Sequence, residues 1–478
     1  MTSTSSQQAA DSTVDQRSSR LILAALAVAG SLVAVHQTTV TPLLPDLARH
    51  FDTSLTAVSW VFTAPLLTGA VATPLLSRLG DMYGKRPLIQ LTLSLLLTGS
   101  VVCAFAPSLG VLIAGRALQG VSVALFPLAI GLIREVLPPD RVMNGIGVVS
   151  ATMGVGGTLG MIITGLVTAV TDGFRPVFWV AIILSVTALT LIARWVPSGG
   201  ARHGGKPDYP GAALLALTLV CLLLAISKGN TWGWTSGRVL TLFGAAVLLG
   251  GAWTLTELRV TQPLVRLSLL VGHRSLSANT LSLLLGFSMY ASFTLVANLV
   301  QTPRSAGYGL GGSILDVGLY SLPMMVTTLS AAGLASRLAR RIGQAFTIAV
   351  GAVISGCSFL WLALSNTHGY DFLGQGALQG LGLGISQAAL GVLAVEHVPL
   401  AQSGIASGIN SLVRTAGGAI SGAAVGAVLG GSAATLHDYV LCFVFIAGTS
   451  WLAGLIAVAH RFAYNGNTAR PLPSARTP

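Results

Sequence analysis

Charge is what this 478-residue sequence has least of: only 8% of its residues are Asp, Glu, Lys or Arg. A soluble chain of this length needs roughly a quarter of its residues charged to cover its surface, so most of this surface faces lipid rather than water. Acidic residues are scarcest, 14 against 26 Lys and Arg. None falls in the middle of an apolar run: Asp46, Asp81, Glu135, Asp316 and Glu396 all lie near run ends. The four cysteines, Cys103, Cys221, Cys357 and Cys442, sit singly inside apolar runs and at no metal-ligand spacing, so they read as small packing residues and no metal is expected. Enzyme signatures are missing too. There is no Walker-type loop, no H-E-x-x-H and no G-x-S-x-G elbow, so neither catalysis nor a cofactor is expected. The basic excess, a net charge of +12, is scattered without a basic stripe or interleaved aromatics, which excludes a nucleic-acid partner.

What is abundant is apolar and small: 53% hydrophobic residues, 57 glycines and a mean hydropathy of +0.78. Fourteen apolar runs are long enough to cross a hydrocarbon core, which takes about 20 residues each; the first begins near Leu21 and the last near Tyr439. With the N-terminus inside, about nineteen Lys and Arg fall on cytoplasmic segments and about five outside, with Arg116 and Arg414 left within spans. Shifting the topology by one helix inverts that ratio against the positive-inside rule. The even count puts both termini in the cytoplasm. The first run is too long for a cleavable signal peptide, so a multi-pass protein of the plasma membrane is expected.

An internal repeat gives the domain plan. Ser77-Arg78-Leu79-Gly80-Asp81-Met82-Tyr83-Gly84 returns as Ser336-Arg337-Leu338-Ala339-Arg340-Arg341-Ile342-Gly343, a shift of about 259 positions. Ala117-Leu118-Gln119-Gly120 returns as Ala377-Leu378-Gln379-Gly380, and Glu135 with Pro138 as Glu396 with Pro399. Six helices occupy about 180 residues, so the excess before the repeat implies two further helices between the halves. The expected division is a disordered cytoplasmic tail over 1–18, a six-helix bundle over 19–197, a linker with two extra helices over 198–260, a second six-helix bundle over 261–462 and a disordered tail over 463–478. The polar, Ser/Thr/Gln-rich start cannot bury enough apolar area to fold alone.

The loop Ser77-Arg78-Leu79-Gly80-Asp81-Met82-Tyr83-Gly84-Lys85-Arg86 resembles the signature G-x-L-a-D-r-x-G-r-k of the major facilitator superfamily, with Ser77 in place of its first glycine. Its physics is legible: Gly80 and Gly84 permit a tight turn, Lys85 and Arg86 hold it at the inner surface, and Asp81 offers a carboxylate to a helix N-terminus or a cation. With Glu135 this makes a conformational latch; the competing reading is an ordinary basic loop. Leu112-Ile113-Ala114-Gly115-Arg116-Ala117-Leu118-Gln119-Gly120 is similar to the superfamily motif linked to proton coupling, and Gly156-Gly157-Thr158-Leu159-Gly160-Met161-Ile162-Ile163-Thr164-Gly165 resembles the exporter motif of helix 5. Met161 stands where that motif has proline and Thr164 where it has glycine, so the kink is weakened while Gly156, Gly160 and Gly165 keep a close-packing face. A plain helix-packing stripe is the rival reading. Trp232-Gly233-Trp234 and Gln301-Thr302-Pro303 are similar to segments of the fourteen-helix drug:proton antiporters, and that resemblance covers nearly the whole chain. It implies an all-α membrane protein of two six-helix bundles plus two inserted helices, with a small-molecule substrate bound at the bundle interface.

One site departs from the family. Helix 1 reads Val35-His36-Gln37-Thr38-Thr39-Val40, with His36 where the family usually has aspartate. Histidine is the side chain whose unperturbed titration lies between pH 5 and 8, so His36 is the candidate proton carrier and Arg116 its tuner. The alternative is a packing histidine, with Asp46 or Glu135 coupling protons. Gln37, Gln119, Asn410 and Arg414 are the substrate-cavity candidates, although Arg414 in particular is open to a place at a helix interface. A cavity with these cations and no central carboxylate favours neutral, zwitterionic or anionic molecules over lipophilic dications.

Three functions are compatible with this plan. Proton-coupled export of a small hydrophobic or amphiphilic molecule by a monomer comes first. Proton-coupled uptake of a nutrient or siderophore by the same fold comes second, because fold does not set direction. A non-transporting sensor comes last, since nothing soluble is appended to do the sensing.

Overall fold

The computed structural model describes residues 3–40, 43–58, 60–171, 173–197, 208–260, 272–396, 398, 403–429 and 434–465. Hydrocarbon offers a backbone no hydrogen-bond partner, so a run that crosses it satisfies its own amides as helix. Among the described residues, fourteen helices are long and apolar enough to do this. In chain order they are α1 Ser3–Thr38, α2 Trp60–Tyr83, α3 Lys85–Ala104 and α4, built from Leu109–Gly120 and Leu125–Val136 around the tight turn Val121–Ala124. Then come α5 Pro139–Val170, α6 Arg175–Trp195, α7 Tyr209–Trp232 and α8 Gly237–Arg259. The second half holds α9 His273–Gln301 and α10, which runs Ile314–Tyr320 and resumes as Leu322–Ile342. It ends with α11 Gln344–Leu364, α12 Gly369–Glu396, α13 Ser403–Leu429 and α14 Leu436–Asn465.

α1 runs back to Ser3, over most of the segment 1–18 expected as a tail. Once an apolar span has nucleated a helix, each further residue adds a hydrogen bond without a new nucleus, so even polar residues extend it. At the other end α14 reaches Asn465, three residues into the expected tail, and 466–478 lie outside the described residues, as do 198–207 and 261–271 at the expected domain boundaries.

The turns joining α2 to α3 and α10 to α11 are built alike. Gly84 (φ 100, ψ 144) and Gly343 (φ 87, ψ 163) each take a backbone conformation closed to side chains, and they stand 259 positions apart. These turns lie at the end of the molecule where Glu135 of α4, Met143 of α5 and the start of α13 also meet them, here termed the basic end. In the first bundle, α1 packs on α5 through glycine: a Cβ on Gly156 would stand 2.3 Å from the Ser31 carbonyl oxygen, and one on Gly160 would stand 2.2 Å from the Thr38 hydroxyl. Gly165 does the same across the seam, where a Cβ would lie 2.8 Å from Leu315 Cα on α10. The glycine stripe is therefore a packing surface that serves both bundles. Thr164, at the replaced glycine, donates to the Thr39 carbonyl (3.1 Å) and to Gly160 (2.8 Å).

The inserted pair sits to one side. α7 packs on α2 and on α13, one from each bundle, while 17% of the α8 span is buried, so α8 lies mainly against lipid. Near the basic end Leu215 of α7 and Trp253 of α8 cluster with Ile405 and Ile409 of α13. Nearer the far end Lys228 places its ammonium 4.6 Å from the Trp60 ring centre, and Asn230 donates to the Ala423 carbonyl (2.7 Å).

Candidate functional site

At the basic end the two bundles are bolted together by buried charge. Lys85 Nζ lies 2.9 Å from Asp81 Oδ1 and also contacts Glu135; its side chain has no exposed surface and that of Asp81 has 1%. It threads past Gly131, where a Cβ would sit 2.3 Å from Lys85 Cε. One ammonium between two carboxylates leaves an excess of negative charge. Asp81 directs that excess at the N-terminus of α13, where Oδ2 accepts the Ile405 amide hydrogen (3.2 Å), and the positive end of a 27-residue helix helps to balance it. The approach is close: a Cβ on Gly404 would stand 2.7 Å from Asp81 Oδ1, and one on Gly408 2.7 Å from Ser77 Oγ. Arg134 adds a bond to the Val398 carbonyl (3.2 Å). Arg86 bonds within its own bundle, to the Ala193 carbonyl of α6 (2.8 Å).

Away from that seal the bundles separate around a cavity of about 270 Å³, walled by α1, α2, α4 and α5 on one side and by α9, α10 and α13 on the other. Its α9 wall runs from Met289 and Tyr290 to Asn298 and Gln301, so it reaches the far end of the helix. Arg116 and His36, 2% and 5% exposed, both line it. Arg116 Nε donates to the Val61 carbonyl (3.1 Å), and Nη1 donates to the His36 carbonyl (3.1 Å) and to Gln119 Oε1 (2.7 Å). Gln119 in turn donates to Ser100 (2.9 Å). These bonds fix the guanidinium without neutralising it: among the described residues no carboxylate pairs with Arg116. The Nη2 hydrogens take no part in them and remain for a solute. His36 Nε2 is buried and has no hydrogen-bond partner among the described residues.

Of the four cavity candidates, Gln37 and Gln119 line the space, and Gln37 Oε1 accepts from the Tyr290 hydroxyl (3.0 Å), which links α1 to α9 across the seam. Asn410 and Arg414 are not part of the lining. Asn410 is spent on the α9–α13 contact, donating to the Ala278 carbonyl (3.2 Å) and accepting from Ser282 (3.2 Å). Arg414 bonds its neighbour Ser411 (3.0 Å), and the backbone at Arg414 is pressed on Gly286, where a Cβ would come within 2.3 Å of the Arg414 carbonyl oxygen. Asp46 is committed to Arg49 on an exposed turn. Sequence reasoning did not single out Tyr290, Phe293 or Lys228. Aromatics within an apolar run carry no signature, and Lys228, 2% exposed, has no motif around it.

The fold and these motifs have counterparts among known proteins. A family model described as Major Facilitator Superfamily matches residues 26–422. The chain belongs to the major facilitator superfamily. Within it, a tetracenomycin C resistance and export protein of Streptomyces glaucescens is 28% identical over 415 residues, 85% of this chain and 75% of that one. A multidrug resistance protein of Mycobacterium tuberculosis is 27% identical over 389 residues, 81% of this chain and 71% of its own. A human organic anion transporter of the superfamily superposes with a TM-score of 0.64 at 16% identity, over 92% of this chain and 99% of that one, a likeness of fold. The chain is a multi-pass membrane transporter of this superfamily.

Proposed function

We propose that this transporter exports a small neutral, zwitterionic or anionic amphiphile in exchange for protons, by alternating access of the seam cavity. The observation that carries the reading is the asymmetry of the seam. One end is closed by the Asp81, Lys85 and Glu135 cluster capping α13, while a cavity bearing an unneutralised arginine extends towards the other. With the basic end in the cytoplasm of the cell that makes it, this is an outward-facing state, and opening the seal exposes the same cavity inward. Both chain termini then lie in the cytoplasm and the protein works in the plasma membrane as a monomer. The printed names of the relatives, an antibiotic resistance and export protein and a multidrug resistance protein, favour export over uptake. Arg116 sets the substrate charge, because a cavity that holds it without a carboxylate repels dications.

His36 is the proton carrier in this reading. It faces the cavity, its Nε2 is free to take a proton, and among the described residues no Asp or Glu lines the same space. A proton there sets a second positive charge beside Arg116. A substrate hydroxyl or amide hydrogen and that proton compete for the one lone pair of Nε2, so protonation from outside releases the substrate and substrate binding from inside releases the proton. The test is transport into everted membrane vesicles from cells lacking other pumps. An acid-inside gradient should drive accumulation, a protonophore should abolish it, and His36→Gln should cut gradient-driven transport by about tenfold or more. Full gradient dependence in His36→Gln removes the histidine from the cycle, and accumulation only under the opposite gradient makes the protein an importer.

A further inference from the structure

The two bundles repeat each other down to single hydrogen bonds, and that register exposes a difference. Gln119 Nε2 of α4 donates to Ser100 of α3 at 2.9 Å; at the counterpart positions the bond runs the other way, Ser358 of α11 donating to Gln379 Oε1 of α12 at 2.9 Å. One turn before each glutamine stands Arg116 in the first bundle and Gly376 in the second. Arg116 reaches the Val61 carbonyl of α2, and a Cβ on Gly376 would point at the Tyr320 carbonyl of α10, 3.2 Å away. Val61 and Tyr320 are themselves 259 positions apart. The socket that a guanidinium fills in the first bundle is therefore hollow in the second.

That hollow is a separate void of about 10 Å³, walled by Tyr320, Phe372 and Met324 and floored by Gln375 and Gly376. The Gln375 side chain is 3% exposed, and its Nε2 has no hydrogen-bond partner among the described residues. An amide hydrogen left so is costly unless something accepts it, and Ser292 and Ser321 also line the void. At this volume the void holds about one water. It is divided from the main cavity by Phe293, Met161 and Val317, which line both spaces. The Phe293 ring stands at the edge of the void on α9, with its tip opposite Gly157, where a Cβ would be 3.0 Å from Cζ. To admit a ring, Phe293 must turn out of its place between the void and Gly157.

We infer that the C-terminal bundle carries a second substrate subsite at Gln375 and Gly376, which takes an aromatic ring bearing a carbonyl or phenolic oxygen, the ring replacing that of Phe293 and the oxygen accepting from Gln375 Nε2. It rests on the seam cavity being the substrate path. A substrate then spans the two bundles, with its anionic or polar end at Arg116 and its ring in the opposite socket. One molecule thus touches both bodies that move, and its shape is read by the hollow rather than by the charged half.

The experiment measures binding to the purified full chain by equilibrium dialysis with two probes of equal charge and ring count, anthraquinone-2-sulfonate and anthracene-2-sulfonate. Wild type should bind the quinone about tenfold more tightly, the worth of one buried hydrogen bond to an otherwise unsatisfied donor. Gln375→Leu, which keeps the volume, should erase that preference and leave the anthracene probe unchanged. Gly376→Val, which fills the socket, should weaken both probes by about tenfold. Thermal unfolding near that of wild type certifies that the variants are folded. No preference in wild type, a preference that survives Gln375→Leu, or no binding of either probe overturns the subsite and marks the void as the seat of a structural water only. Failure of the export reading has a different signature: both probes bind with the expected pattern, yet neither is moved by a pH gradient in vesicles.

Discussion

The two six-helix bundles share helix order, turn glycines and a Ser–Gln bond, but the first encloses the Asp81–Lys85 pair and Arg116, while the second buries Asp371 at the start of α12. Where α2 and α3 hold Asp81 and Lys85 in an enclosed cluster, the matching positions of α10 and α11 are an exposed Arg340 and Gln344, the latter reaching Met143 Sδ at 3.8 Å. Where α4 carries Arg116, α12 has Gly376. The shared features are those the fold requires, since a tight turn and a close helix contact look the same in either half. In the proposed cycle the charges serve the latch and the substrate, and one copy of each is enough. Charge in one body and shape in the other leave the seam with two different faces for a solute.

Paired substitutions break or sharpen this contrast. The largest difference is expected at Lys85. Lys85→Met leaves Asp81 and Glu135 facing each other in a buried site, a loss of about 3–5 kcal/mol, and vesicle transport should fall more than tenfold. Gln344→Met at the matching position should change transport by less than about twofold, because a weak contact to sulfur is all it removes. A large effect at Gln344 would show that both halves bear the seal. Next come the turn glycines. Gly84→Ala and Gly343→Ala each force a side chain into a forbidden backbone region and should cost about 1–3 kcal/mol alike, read as matched drops in thermal unfolding temperature in detergent. The smallest effect belongs to the serines. Ser100→Ala and Ser358→Ala should each lose about 1 kcal/mol, and a much larger loss at Ser100 would mean that its bond helps to hold Arg116 through Gln119.

Much of this was legible in the residues because the signals are long-range in sequence and strong. Fourteen apolar runs and a register shift of 259 survive any uncertainty about which side a helix presents. His36, Gln37, Arg116 and Gln119 were likewise readable as neighbours, since motif and helix order bring α1 and α4 together. Facing is where sequence reasoning stopped. Asn410 and Arg414 sit on a Gly-rich helix whose every side looks permissive, and only the close approach at Gly286 and the carbonyl at Ala278 decide that they turn towards α9 rather than the cavity. Lys228 has no motif around it in the sequence, and the Trp60 ring that covers it comes from a helix 168 positions earlier. The hollow at Gly376 had no sequence signal beyond the missing arginine, which becomes informative only once the repeat is laid on itself.

α7 grips both moving bodies, through Leu215 and Asn230 on α13 and through Lys228 on α2. A rigid strut fastened to two hinged plates confines their swing to rotations about a line close to itself, because every other motion shears its fastenings. Displacement in such a linkage grows with the lever arm, so the α5–α10 flank travels farthest. In the proposed cycle the added pair would serve as the axle of the rocking bundles, because α7 packs on both.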